Sequence, residues 1–225
     1  MVLDDSGQTR FVHDPRHRAA GTADAPDDPG VESNSRLTAV TAVVLVVLFV
    51  IEGVTILGVR RYFNIHVFVG MLLIPPVLLK IGSTGWRFAR YYRGAPPYRR
   101  KGPPPALMRL LGPVLVVLTI MLLASGVALV LTPHARNRLL FLHQASFLVW
   151  LGAMIIHLLG HLRETARLAP LDLARRTRSQ VAGASARQWA VVASLAVGIV
   201  LGLVMLSTTA HYLAATVAFL HHHRH

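Results

Sequence analysis

Five long apolar blocks run through the chain, and the polar residues gather between them. The blocks cover residues 37–59, 62–83, 106–131, 139–162 and 189–213. Each reaches the roughly 20 residues that a helix needs to cross a hydrocarbon core about 30 Å thick. Within a block the apolar residues are continuous rather than spaced at an amphipathic period. Backbone groups in lipid must be paired internally, which makes such blocks helices. The pattern therefore predicts an all-α membrane protein with five transmembrane helices. Pro75 and Pro76 are expected to kink the second of them.

The segments between the blocks give the organisation. Residues 1–36 are rich in Asp, Gly and Pro, with no signal-peptide type of apolar run, and read as a disordered acidic cytoplasmic tail. Residues 37–163 form a four-helix core, 164–188 a basic loop, 189–213 an extra C-terminal helix, and 214–225 a short external tail. The terminal HHHRH reads as a tag remnant or meaningless tail in preference to a metal-binding one. Arg87, Arg90, Arg93, Arg99, Arg100 and Lys101 lie between the second and third spans without an acid. Arg163, Arg167, Arg175, Arg176, Arg178 and Arg187 lie between the fourth and fifth, against Glu164 and Asp172. The opposite side carries only Arg60, Arg61, Arg136, Arg138 and Arg224. The positive-inside rule then predicts a multi-pass protein of the plasma (inner) membrane, N-terminus cytoplasmic and C-terminus external. The second and fourth helices would run parallel.

Composition agrees with this reading. Hydrophobic residues make up 53% and charged ones 15%, where a soluble domain is nearer 25% charged, and the mean hydropathy is +0.51. The net charge of +13 would suit nucleic acid, but the arginines cluster in inter-span loops, so nucleic acid is rejected as a partner. The absence of cysteine excludes disulfides, covalent c-type heme, iron–sulfur clusters and Cys-type zinc sites.

Ionisable residues inside spans are costly and mark function. Here they are Glu52, His66, Lys80, His143, His157 and His161. His143 and His157 are 14 residues apart on the fourth helix. On a helix that spacing returns a side chain to within about 40° of its starting direction after a rise of about 21 Å. One imidazole is thus placed near each membrane surface on one face, as two hemes stacked across a bilayer require. His66 and Lys80 repeat the spacing on the second helix, and His66 and His143 both lie near the outer end, where they could clamp one iron. Gly112 and Gly126 repeat it on the third helix. With Gly70 and Gly152 they would let a flat macrocycle approach the backbone, although plain helix packing also uses glycine.

Histidines about 14 apart on two parallel helices of a four-helix core resemble the membrane b-type cytochromes, nearest the cytochrome b561 and ferric-reductase-like transmembrane groups. The resemblance covers residues 37–163 and carries His66, His143 and His157 as metal ligands, with the fifth helix as an addition. It implies non-covalent heme b, one or two per chain, held by paired histidines. It also implies electron relay from a quinone or cytoplasmic donor to a redox protein partner. Lys80 stands where the family pattern has a fourth histidine.

Lys80 has three readings: an iron ligand opposite His157, a partner of a heme propionate, or an amine snorkelling to the interface. His161 shares a face with His157 and reads as a propionate or quinone partner, or as an interfacial residue. Glu52 is positioned to accept a hydrogen bond from a ligand histidine's Nδ1 or to hold a proton, the plainer reading being a neutral acid bonded to Thr55. His134 and His211 read as interfacial. The mixed basic and aromatic stretch 85–105 suits lipid headgroups, with a partner-docking face as the sharper alternative. Two other functions remain open: a cofactor-free transporter or channel component, and a membrane scaffold docking a partner through its basic loop. The expected enzyme role is an electron-transfer subunit rather than a self-contained oxidoreductase.

Overall fold

The computed structural model describes residues 2–3, 9–10, 28–100, 106–132, 136–174, 177 and 179–222. For residues 2–3, 9–10, 136 and 209–222 it describes the backbone alone. The fold is all-α, apart from a two-residue antiparallel ladder that pairs Val2 with Arg10 and Leu3 with Thr9. Most of the acidic tail and the prolines at 103–105 lie outside the described residues, as do His134 and the side chain of His211.

Five helices are long and apolar enough to cross a membrane. They are α1 (Pro29–Leu57), α2 (Val59–Tyr92), α3 (Ala106–Leu131), α4 (Arg136–Leu173) and α5 (Ala184–His222). α3 has the bounds its apolar block suggests, whereas the others overrun theirs. α1 begins eight residues before its block because Asp28 caps it, its carboxylate accepting from Gly30 N at 2.9 Å, with Pro29 at the first helical position. α2 continues through Trp86 to Tyr92, so part of the basic segment is helical, and it ends where Gly94 takes φ +82°. The backbone stays helical through Pro75 and Pro76; the residue that leaves helical dihedrals is Tyr62 (φ −105°, ψ 20°), near the start of α2. Gly58 alone separates α1 from α2, and a Cβ there would stand 3.1 Å from the Tyr62 ring.

α1 to α4 form a ring. α1 packs closely on α2 and α4, α3 packs closely on α4, and the ring closes loosely between α2 and α3. α2 and α4 therefore face each other across the diagonal. α5 lies outside the ring against α2. Leu45 and Leu48 of α1 bury against Val69, Leu73 and Val77 of α2, joined by Leu123 of α3 and Leu195 of α5. Trp150 stacks with Phe147 and meets Phe49 at a tilt of 59°, and Trp150 Nε1 donates to Thr119 Oγ1 at 2.9 Å, tying α4 to α3.

The end of the bundle that carries the two long loops is the basic end. Arg36 and Arg187 are buried there. Arg187 donates through Nε and Nη2 to Asp172, at distances down to 2.5 Å, and through Nη1 to Ser33 Oγ and Ala182 O. Arg36 bonds Glu32 and the carbonyls of Leu171 and Thr177. The sequence pattern places Arg187 among loop charges and Arg36 at the end of the N-terminal tail. The structure places them inside a network that joins α1, the end of α4 and the start of α5.

Candidate functional site

The far end of the diagonal brings together Glu52, His66 and His143. The two imidazole centres are 6.3 Å apart with their planes at 82°. Each ring is held by the nitrogen nearer its own backbone. His66 Nδ1 lies 3.0 Å from Glu52 Oε1 and 3.1 Å from Thr55 Oγ1. His143 Nδ1 lies 3.1 Å from Leu122 O and 3.1 Å from Ser125 Oγ.

Proton bookkeeping fixes the tautomers. A hydroxyl has one proton to donate. Thr55 donates its own to Glu52, at the carbonyl (2.6 Å) or at Oε2 (3.3 Å). Ser125 donates its own to Leu122 O at 3.0 Å. Toward the rings, Thr55 and Ser125 are thus acceptors, and so are Leu122 O and an ionised Glu52. His143 therefore carries its proton on Nδ1, since a carbonyl can only accept, and His66 does so where Glu52 is ionised. In the neutral rings that leaves the Nε2 lone pairs bare, and no described hydrogen bond uses either Nε2. A metal-binding imidazole has this arrangement: Nδ1–H held by a carboxylate or a carbonyl, Nε2 left to the metal. Two imidazoles on opposite sides of one metal, at metal–nitrogen distances of about 2.0–2.1 Å, have ring centres about 6 Å apart. The observed separation is of that size.

Glycine has a specific place in this geometry. A Cβ on Gly126 would stand 3.1 Å from His143 Cε1, so only glycine leaves the ring its present position. A Cβ on Gly70 would meet Glu52 Oε1 at 3.5 Å, an ordinary contact. Gly112 and Gly152 face open space, where an added Cβ would meet nothing within 4 Å. Gly126 thus makes room for the His143 ring, whereas a methyl group at Gly70 would fit beside Glu52.

The basic end of the diagonal is built differently. Lys80 Nζ donates to Thr38 O of α1 at 2.8 Å. With Asn34 bonded to Ser83 O and Thr38 to Ser83 Oγ, it belongs to a clasp between α1 and α2. That position matches none of the three roles weighed for Lys80. His157 and His161 have ring centres 4.7 Å apart. His157 Nδ1 is the one buried side-chain nitrogen or oxygen without a partner among the described residues. Glu164 lies 3.6 Å from His161 Nδ1 and 3.9 Å from Arg87 Nη1. Among the described residues, no group of three or more His, Cys, Asp or Glu side chains is placed to hold a metal ion. A metal at the far end would rest on two protein ligands, His66 and His143.

Thr55, Ser125 and the Leu122 carbonyl set the tautomers. Glu52 and Thr55, three apart on α1, could be paired from sequence. Ser125, next to Gly126 in an otherwise apolar run, was a faint signal, and a backbone acceptor leaves none. No family model, no curated protein and no solved structure matches this chain. The chain is therefore defined at the level of class, as an all-α protein with five candidate membrane spans and a histidine pair across the diagonal of its four-helix ring.

Proposed function

We propose that this chain is an integral-membrane b-type cytochrome that relays electrons through heme b between a quinone or cytoplasmic donor and a redox protein partner. The observation that carries the reading is the pair His66 and His143, each held through Nδ1 with no described hydrogen bond on Nε2, on two helices that hardly touch each other. Bound there, heme b would supply a one-electron couple whose potential its ligands and burial tune. The chain's own residues supply the rest. Glu52 and Leu122 O orient the ligand rings and raise their donor strength. The apolar helices exclude water. The looser contact between α2 and α3 is the side on which the ring could open to admit a flat group.

One heme per chain fits better than two. At the basic end His157 has no histidine opposite it, and Lys80 is engaged by α1. The unpartnered His157 Nδ1, with His161 beside it, suits a hydrogen-bonding group such as a heme propionate or a quinone carbonyl.

A reduced-minus-oxidised visible spectrum of the purified protein tests the proposal, with heme and protein quantified on the same sample. The expected result is a sharp α band and one heme per chain. His66→Ala and His143→Ala should each abolish it, while His157→Ala keeps it. Colourless protein from heme-replete cells would end the reading. A full spectrum in both far-end variants would end the ligand assignment.

A further inference from the structure

At the basic end, α1 and α5 both lean on α2 and touch each other little, so they part into a cleft. Its volume is about 410 Å³, within the range of roughly 300–1,000 Å³ usual for small-molecule sites. Leu37, Val40 and Val44 form one wall from α1, and Val191 and Val192 form the other from α5. The first three follow at three- and four-residue steps, so they make one continuous apolar stripe. The polar floor consists of Gln188 and the Arg187–Asp172 pair.

The chemistry of the floor selects the occupant. Arg187 and Asp172 are 4% and 3% exposed and bonded to each other, so they offer no spare charge to an anionic or cationic head. Gln188 is half-buried, and no described residue hydrogen-bonds its amide, which can both donate and accept. Trp189, 70% exposed, stands next to it near the start of a candidate span, and tryptophan is enriched where spans meet the headgroup layer. An apolar slot between two candidate spans, ending in an uncharged amide beside an interfacial tryptophan, matches an acyl chain with its glycerol ester.

We infer that the cleft between α1 and α5 is a binding site for one bilayer lipid, its chain along Val40, Val44 and Val192 and its ester carbonyl on the Gln188 amide. This site is separate from the histidine pair and rests on the membrane architecture alone.

The full chain, purified in detergent and exchanged repeatedly into a lipid-free micelle, is denatured and extracted, and lipid per chain is measured by mass spectrometry. Wild type should retain one phospholipid per chain. Val40→Phe, which fills the slot, should lose it while eluting at the same position on size exclusion. Gln188→Leu should keep the fold and lower retention about fivefold, the equivalent of one hydrogen bond. Retention that is equal in all three proteins overturns the inference. So does recovery of a quinone in place of phospholipid, or a wild type that emerges lipid-free.

Discussion

At the residue scale, the far-end site turns on which ring nitrogen carries the proton. Leu122 O can only accept, so the His143 ring donates from Nδ1, and an ionised Glu52 sets the same tautomer at His66. Gly126→Ala and Gly70→Ala separate geometry from mere glycine content. The alanine methyl at 126 would sit 3.1 Å from the His143 ring, and at 70 it would find 3.5 Å of room. Gly126→Ala is expected to cut heme occupancy several-fold, read as absorbance per mole of protein, with Gly70→Ala near wild type. Ser125→Ala leaves Leu122 O to hold the ring alone. It should cost about 1 kcal/mol of stability and leave heme content nearly intact. The histidines and Glu52 were legible in the sequence because ionisable groups are rare in apolar runs. The acceptors on Nδ1 were less so, since Leu122 contributes a carbonyl that every residue has. Lys80 shows the opposite failure: a matched spacing suggested a shared role, but a nearby backbone carbonyl on α1 took the amine.

At the element scale, α5 acquires a purpose that its sequence did not suggest. Gly198 and Gly202 face α2, where a Cβ would come within 2.6 Å of Leu72 O and 2.5 Å of the Phe68 ring. The two helices approach backbone to backbone, as small residues four apart allow. Phe68 and Leu72 stand two and six residues past His66, so α5 braces the segment that carries this histidine. Gly198→Leu collides with backbone that cannot rotate away. A loss of about 1–3 kcal/mol should appear as a lower Tm in detergent, and Gly198→Ala should lie between it and wild type. Helix existence was legible from apolar length, but helix ends were not. Apolar length measures the hydrocarbon, whereas hydrogen bonding carries α2 on to Tyr92 and a cap starts α1 at Pro29.

At the scale of the whole molecule, buried charge fastens the basic end. Asp172→Ala leaves the Arg187 guanidinium without its carboxylate in a site that is nearly closed. Stranding one member of a buried pair costs about 3–5 kcal/mol, so this variant should unfold at markedly lower temperature or accumulate poorly. Asp172→Asn should recover part of the loss, because an amide still accepts from Nε. The chain has no cysteine, which makes its topology easy to probe. With the orientation that the loop arginines predict, Thr132→Cys should react with an impermeant maleimide in intact cells. Ser185→Cys should react only after permeabilisation. The reverse pattern would invert the molecule in the membrane. Charge bias carried that expectation in the sequence, but it gave no hint that Arg36 and Arg187 had left the surface to become struts.

The thin seam between α2 and α3 bears on assembly. Three sides of the ring are closely packed, and the fourth is in looser contact. Under the proposed function, that looser side is where heme would reach His66 and His143 without unthreading a helix. Apoprotein made in heme-starved cells should then take up added hemin in detergent at room temperature.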